Sequence, residues 1–377
     1  MLSYIIPFLV LFFVVTFVHE YGHYYFAKRY GVKVTVFSLG IGKELFGWTD
    51  KDGVRWKLSP IPLACYVKFY GDHSIFSEYD KESLRKQYPP EDHDKLLAFK
   101  TFSQKAMILL AGPFANFILA IAIFASIYTF VGKDFTPASI AEVQANSPAF
   151  IAGVKKDDVI VSIDGENVKS IMEVSKYITL STSDYINFTV SRVGQEIELK
   201  VKPNMVETKD GLGNDVKKRM IGIKLIPYNN TVNHVKVGPA KALFYATSEV
   251  YYITTSMYKY VWLLIRGKGD PKSLGGPIRI GKISGQVAQY GFLAFISTIA
   301  YISISLGAIN LLPIPLLDGG HLLINFIDRI KTNGLSGKSA EFLYRIGFVI
   351  IGSLVIFTTF NDLNDVGLFK FFNNYIS

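Results

Sequence analysis

Residues 4–25 read YIIPFLVLFFVVTFVHEYGHYY, an apolar run that ends in the motif His19-Glu20-Tyr21-Gly22-His23. A run of this length predicts a membrane-spanning helix. Residues four apart share one face of a helix, so His19 and His23 would direct two imidazoles at one point, as in half of a tetrahedral zinc site. Glu20 would then reach a water molecule held at that point. The alternative interpretation is that these residues only mark the end of the span, and it predicts no partner elsewhere in the chain.

The composition is that of a membrane protein with a soluble part attached. Half of the 377 residues are hydrophobic and 19% are charged, against about 25% charged residues in typical soluble domains. The mean hydropathy is +0.27. The net charge of +9 does not indicate nucleic-acid binding, because the basic residues lie mostly in loops beside apolar runs. The single cysteine, Cys65, excludes an intramolecular disulfide and a thiolate zinc site.

A second stretch supplies the partner that the motif requires. Residues 311–321 read LLPIPLLDGGH, and the two prolines break the helix of an apolar run. Asp318 would therefore lie at membrane depth. Together with His19 and His23 it would give two imidazoles and one carboxylate with a fourth position open for water, the arrangement of catalytic zinc sites. Taken alone, Asp318 would be interpreted as a turn residue in an Asp-Gly pair.

The order of the apolar runs tests this pairing. The predicted spans are residues 4–25, 106–131, 292–312 and 342–360. Basic loops place the N-terminus outside the cell. His23 and Asp318 meet only if the first and third spans run in the same direction, which requires one crossing between them. The second span supplies it, so residues 240–266, which carry Glu249 and Lys259, are expected to form an amphipathic helix on the outer face.

Two regions show the alternating pattern of β-strands. Residues 33–69 contain short runs broken by glycine and proline. A free strand edge there would hold an extended substrate segment by main-chain hydrogen bonds, although a purely structural loop fits equally well. Residues 138–226 contain further strands and a short helix at 171–180, which predicts a soluble domain of about 90 residues. Residues 72–104 are polar and predict a loop.

The combined motifs resemble the site-2 protease family of intramembrane zinc metalloproteases, and the bacterial regulator-of-sigma-E protease branch fits best. The resemblance covers most of the chain. The stretches that carry it are His19–His23, Ala111-Gly112-Pro113 with Asn116, and Asn310–His321.

The resemblance implies a polytopic α-helical membrane protein with four transmembrane helices, a membrane-associated β-loop and one inserted extracytoplasmic PDZ-like α+β domain. The expected location is the bacterial inner (cytoplasmic) membrane, with the N-terminus and the PDZ-like domain extracytoplasmic. The implied divisions are a first transmembrane helix with the zinc motif (1–30), a cytoplasmic-side β-loop and polar loop (31–104), a second transmembrane helix (105–131), the PDZ-like domain (132–230), an amphipathic extracytoplasmic helix and connector (231–290), a third transmembrane helix with the third ligand (291–330), and a fourth transmembrane helix with a tail (331–377).

The resemblance also implies a cofactor, Zn²⁺, with His19, His23 and Asp318 as its ligands and Glu20 as the catalytic base. The residues expected to bind substrate are Asn116, Asn310, Pro313, Pro315, Tyr66, Val67, Lys68 and Phe69. The expected partners are the lipid bilayer and single-pass membrane proteins, such as anti-sigma factors or remnant signal peptides, whose transmembrane segments would be cleaved in regulated intramembrane proteolysis. No nucleic acid is expected.

Two departures from the family and three rival functions remain open. Only one PDZ-like domain is found where several members carry two, and Ala64-Cys65 stands where members often have two glycines. The main rival is a membrane-anchored PDZ-domain scaffold with a vestigial metal site. A zinc protease of the prenyl-protein-processing type would use a glutamate as third ligand, and a transporter would carry charges through more of its spans.

Overall fold

The structure is a computed structural model that describes residues 2–72, 81–181, 183–209, 215–331, 335 and 337–365. The described residues fall into two compact units, one within Met1–Ile123 and Gly276–Asp362 and the other within Phe124–Gly275 and Leu363–Ser377. The helices are α1 (Leu2–Arg29), α2 (Lys81–Gln87), α3 (Phe102–Phe130), α4 (Pro148–Ile151), α5 (Ile171–Leu180), α6 (Pro239–Ile265), α7 (Pro277–Gln289), α8 (Phe292–Asn310), α9 (Asp318–Ile330) and α10 (Gly337–Asp365).

Four of the described helices, α1, α3, α8 and α10, are long and apolar enough to cross a membrane. The prediction of four such helices is confirmed. The helix α6 is not among them, and the amphipathic outer-face helix expected at residues 240–266 stays a prediction. The helices α1 and α10 extend beyond the predicted spans at both ends and α3 begins four residues earlier than predicted, whereas α8 ends at Asn310, two residues before the predicted end.

The segment 291–330 is not one continuous helix. The helix α8 ends at Asn310 and α9 begins at Asp318, with Pro313 and Pro315 between them. The chain folds back so tightly that a Cβ at Gly320 would overlap the Ile314 carbonyl, and one at Gly319 would overlap that of Leu311. The two glycines are therefore required here, and this turn delivers Asp318 as the first residue of α9.

The first unit also contains a four-stranded sheet in the order β2-β3-β1-β4. Its strands are β1 (Val34–Ile41), β2 (Phe46–Thr49), β3 (Arg55–Leu58) and β4 (Ile61–Phe69). Phe37 of β1 is fully buried and stacks on Trp56 of β3, which fixes this sheet against Tyr24 of α1. Because β4 ends the order, its outer edge has no strand partner among the described residues.

The prediction of a polar loop at residues 72–104 is wrong for residues 81–99, which fold. Residues 81–87 form α2, and 3₁₀ turns follow at Pro90–Lys95 and Leu97–Phe99. The physical reason is that Leu84, Leu96 and Leu97 are buried, so a few apolar residues in a polar stretch are enough to fold it. Residues 73–80 lie outside the described residues.

The second unit contains a six-stranded sheet in the order β10-β9-β7-β6-β13, with β8 paired to β7. The remaining strands of the chain are β5 (Lys133–Asp134), β6 (Ala138–Val143), β7 (Val159–Ile163), β8 (Glu166–Asn167), β9 (Ile186–Arg192), β10 (Gln195–Val201), β11 (Asn204–Lys209), β12 (Asp215–Met220), β13 (Ile223–Pro227) and β14 (His234–Val235). The inward residues Ile140, Ile163 and Phe188 form its core with Val174 of α5. The helix predicted at 171–180 is present as α5.

One buried ion pair makes the stability of this second unit depend on pH. Asp158 is 1% exposed and accepts two hydrogen bonds from Arg192, each 2.8 Å long. Burial alone would raise the pKa of Asp158, but the Arg192 guanidinium and the Lys155 amide outweigh it and hold the pKa below its ordinary value. The pair therefore stabilises the unit above about pH 4, and this stabilisation disappears as the pH falls through the ordinary and then the lowered pKa.

We expect Asp158→Asn to destabilise the second unit by about 3 kcal/mol and to flatten its acid dependence, because Arg192 loses its buried carboxylate. The measurement is hydrogen exchange of peptides from β7 and β9 in the full chain, compared as protection factors at pH 6 and below pH 4. Asp157→Asn is the control, since Asp157 is exposed. Equal loss of protection at acid pH in wild type and Asp158→Asn would contradict the prediction.

Candidate active site

The two imidazoles of the motif lie one turn apart on α1 and are buried against α3. His19 and His23 are 7% and 8% exposed. A Cβ at Gly22 would overlap the Ala111 carbonyl, and a Cβ at Gly112 would overlap the His23 ring and lie 2.9 Å from Cε1 of His19. The absence of side chains at Gly22 and Gly112 thus lets the two helices approach closely, and it leaves room for both rings.

Asp318 meets these rings from the start of α9. Its Oδ2 lies 3.2 Å from His19 Nε2 and its Oδ1 lies 3.5 Å from His23 Nε2. The two Nε2 atoms are 3.2 Å apart, and the three ligand atoms lie within 4.8 Å of one another. Asp318 Oδ2 is buried and makes no hydrogen bond to the described residues. Two imidazole nitrogens and a carboxylate that converge in this way fit Zn²⁺.

The ring of His23 is held in the orientation that a metal ligand needs. Its Nδ1 lies 2.8 Å from the carbonyl oxygen of Ile108, which can only accept a hydrogen bond. Nδ1 therefore carries the proton, and Nε2 keeps its lone pair for the point shared with His19 and Asp318.

Glu20 lies in the same cavity, beside the free edge of β4. The cavity has a volume of about 690 Å³ and is lined by His19, Glu20, His23 and Asp318 together with residues of α3, α8 and β4. Glu20 Oε2 accepts a hydrogen bond of 3.1 Å from the backbone amide of Val67. This contact holds the Glu20 carboxylate at the edge of β4, in the cavity that His19, His23 and Asp318 also line.

The residues predicted to bind substrate divide into three groups. Tyr66, Val67, Lys68, Phe69 and Asn310 line the cavity, and Asn310 Nδ2 lies 3.3 Å from His19 Nε2. Pro313 and Pro315 do not line it and belong to the turn before α9. Asn116 also does not line it: it is fully buried in α3 beside His19.

Sequence reasoning missed three contributors to the site. Gly112 and Ile108 of α3 shape and orient the histidines. His321 lines the cavity one turn after Asp318, and its Nδ1 lies 2.6 Å from the hydroxyl of the buried Tyr344. Gly112 belongs to the Ala111-Gly112-Pro113 stretch that supports the resemblance. Its small size, which leaves space for bulky rings on a neighbouring helix, could have indicated its role. Nothing local indicated Ile108, because it acts through its main chain.

We expect Gly112→Ala to reduce the peptide-cleaving activity that the motifs imply by about 100-fold, because the new methyl group displaces both candidate ligands and small misplacements are that costly in catalysis. Zinc affinity should fall as well. Gly352→Ala is the matched control, since a Cβ at Gly352 of α10 meets nothing within 4 Å. Rates and zinc affinities are measured on the two purified variants. A Gly112→Ala protein as active as Gly352→Ala would refute the close packing of α1 and α3.

A comparison with known proteins shows the family of this chain. A model of peptidase family M50 matches residues 7–354. The chain belongs to family M50. Members of this family are the site-2 proteases, so the resemblance identified from the motifs is confirmed.

Named relatives cover nearly the whole chain. Atu1380 of Agrobacterium fabrum, provisionally named a zinc metalloprotease, is 39% identical over 364 residues, which are 97% of this chain and 96% of the relative. A protein of Brucella suis with the same kind of name is 38% identical over 362 residues, or 95% and 94% of the two chains. Metalloprotease MmpA of Caulobacter vibrioides is 34% identical over 379 residues, or 95% and 94%.

This M50 peptidase is therefore a membrane zinc metalloprotease. The predictions of an enzyme and of a zinc cofactor are confirmed. The rival scaffold function loses its support, because it required the metal site to be vestigial, whereas His19, His23 and Asp318 converge with Glu20 beside them.

Proposed function

We propose that this M50 peptidase cleaves transmembrane segments of single-pass membrane proteins, with His19, His23 and Asp318 holding the zinc ion and Glu20 acting as general base. The observation that carries the proposal is the shared cavity, in which the three candidate ligands, Glu20 and the free edge of β4 all face the same space. His19, Glu20 and His23 lie on α1, which is long and apolar enough to span a membrane, and this favours a substrate within the bilayer.

The edge of β4 would prepare the substrate for attack. A helical segment shields its own carbonyl groups, because each accepts an intrahelical hydrogen bond. An unwound segment can instead pair with the outer edge of β4 as an added strand. Such pairing would satisfy the backbone groups of the unwound segment, whose exposure in a bilayer is costly. It would also lay the segment beside Glu20, which already contacts the backbone amide of Val67.

The chemistry divides between the metal and the side chains. Zinc, when bound, supplies a Lewis acid that acidifies water and polarises a carbonyl group. Glu20 takes the proton of the attacking water and later delivers it to the nitrogen of the leaving amine. The Asn310 amide, whose Nδ2 lies 3.3 Å from His19 Nε2, would donate a hydrogen bond to the substrate carbonyl as negative charge develops on its oxygen.

Residues 132–230, which belong to the second unit, are proposed to form a PDZ-like domain. Its strand β13 ends the sheet order and contacts α5, so a groove for an extended peptide would lie between them. Ala149 donates to the Ile221 carbonyl and Gln144 to that of Gly222, so the Ser147-Pro148-Ala149 loop is fixed at the start of this strand. The domain would capture a new C-terminus or exclude substrates with bulky ectodomains.

The proposed location is the bacterial inner membrane, with the N-terminus and the PDZ-like domain on its outer side. The remaining parts of the chain are proposed to have the bounds that the resemblance implies. The basic loops and the four candidate spans support this orientation. Under this arrangement the physiological role is regulated intramembrane proteolysis, in which an earlier cut removes the substrate's ectodomain.

The decisive experiment uses the purified protein in lipid vesicles with a model single-span substrate. We expect zinc-dependent cleavage inside the apolar segment, faster when a helix-breaking residue is placed there and slower when a folded ectodomain is retained. A matched substrate whose span is a poly-leucine helix is the control. Cleavage only in the soluble flanks, or cleavage that persists after the metal is chelated, would contradict the proposal.

A further inference from the structure

The side chain of Asn116 has one hydrogen-bond partner among the described residues, the candidate ligand His19. Asn116 lies in α3 and is fully buried. Its Nδ2 is 3.3 Å from His19 Nδ1, and its Oδ1 has no hydrogen-bond partner. It is absent from the lining of the described cavity, whereas Asn310 belongs to it. Asn116 is thus placed to act on His19 and not on a substrate.

Which ring nitrogen of His19 carries the proton determines whether Asn116 donates or accepts this hydrogen bond. His19 Nε2 faces Asp318 Oδ2 and His23 Nε2, each at 3.2 Å, so Nε2 is the atom directed at the proposed metal. An imidazole that binds metal through Nε2 carries its proton on Nδ1. That proton needs an acceptor. The corresponding Nδ1 proton of His23 has one in the Ile108 carbonyl oxygen.

Of the two polar atoms in the Asn116 side chain, the oxygen can accept this proton and the nitrogen cannot. A half-turn of the amide exchanges oxygen and nitrogen without changing the shape of the side chain, and it brings the oxygen to Nδ1. The backbone at this position is also fixed, because the hydroxyl of the fully buried Ser303 donates to the Asn116 carbonyl at 2.9 Å. The helix α8 therefore holds α3 at the turn that faces His19.

We propose that Asn116 is a positioning residue that accepts the Nδ1 proton of His19 and so fixes the tautomer and ring orientation in which Nε2 binds zinc. The inference rests on the proposed ligand set. It replaces the expectation that Asn116 binds substrate.

The test measures metal binding by the full-length protein in detergent. Zinc affinity is determined by competition with a chelator, and the absorption spectrum of the Co²⁺-loaded protein reports the ligand geometry. We expect Asn116→Leu, which has a similar volume and no acceptor, to weaken zinc binding by about 10–100-fold and to alter the Co²⁺ spectrum. Asn116→Asp should bind zinc at least as tightly as wild type, because a carboxylate accepts the same proton.

Ser284→Ala is the control, since it removes a fully buried hydroxyl group that donates to the Ile280 carbonyl of the same helix, α7, and does not line the cavity; it should leave zinc affinity unchanged. Wild-type affinity and spectrum in Asn116→Leu would overturn the inference. Weakened binding in Asn116→Asp would also overturn it, because it would show that the amide donates to His19. If Asn116→Leu does not fold, the zinc affinity of Asn116→Asp alone tests the inference. Zinc binding that survives His19→Ala would instead overturn the proposed ligand set, and this inference with it.

Discussion

Replacement of Glu20 by glutamine is expected to lower the rate of cleavage by about 10²–10⁴-fold while one zinc ion remains bound per chain. Glutamine has the shape of glutamate and can still lie beside Val67, but it cannot take a proton from water at neutral pH. The three candidate ligands are unchanged, so metal content should not follow activity.

The measurement pairs zinc content with cleavage of the model single-span substrate by the same preparation. Glu341→Gln is the control, because Glu341 lies on α10 in an exposed ion pair with Arg345 and outside the cavity. Cleavage by Glu20→Gln at the rate of the control would remove Glu20 from the mechanism. Loss of zinc from Glu20→Gln would show that the carboxylate belongs to the ligand set.

Replacement of Asp318 by asparagine is expected to weaken zinc binding by more than about 100-fold, beyond the effect typical of residues that only support a ligand. Asparagine keeps the size of the side chain, but it removes the negative charge that balances the metal ion between the two imidazoles. Cleavage should fall in parallel, since the attacking water is no longer acidified.

Asp328→Asn is the matched control on the same helix. Asp328 receives a hydrogen bond from the Leu335 amide and lies 3.1 Å from Lys81, so its loss should lower stability without changing zinc affinity. If Asp318→Asn binds zinc as tightly as Asp328→Asn, Asp318 is not the third ligand and the packing of α9 against α1 has no role in metal binding.

Much of the architecture could be predicted because it depends on local patterns. The four spans follow from apolar runs of sufficient length, and the pairing of His19 with His23 follows from helical periodicity. The break before Asp318 follows from Pro313 and Pro315, which cannot continue a helix. The folding of residues 81–99 was missed, because it depends on burial of Leu84, Leu96 and Leu97 against a neighbouring element.

The sequence by itself therefore determined the number of candidate spans, the residue types of the candidate metal site and the family. Tertiary structure alone decided which atoms meet: that Gly112 leaves room for both imidazoles, that the Ile108 carbonyl orients His23, and that the edge of β4 faces Glu20. The physical reason is the distance along the sequence over which each effect acts. Periodicity and helix breaking act within a few residues, whereas these contacts join positions 47 to 93 residues apart, and two of them involve backbone atoms that every residue type carries.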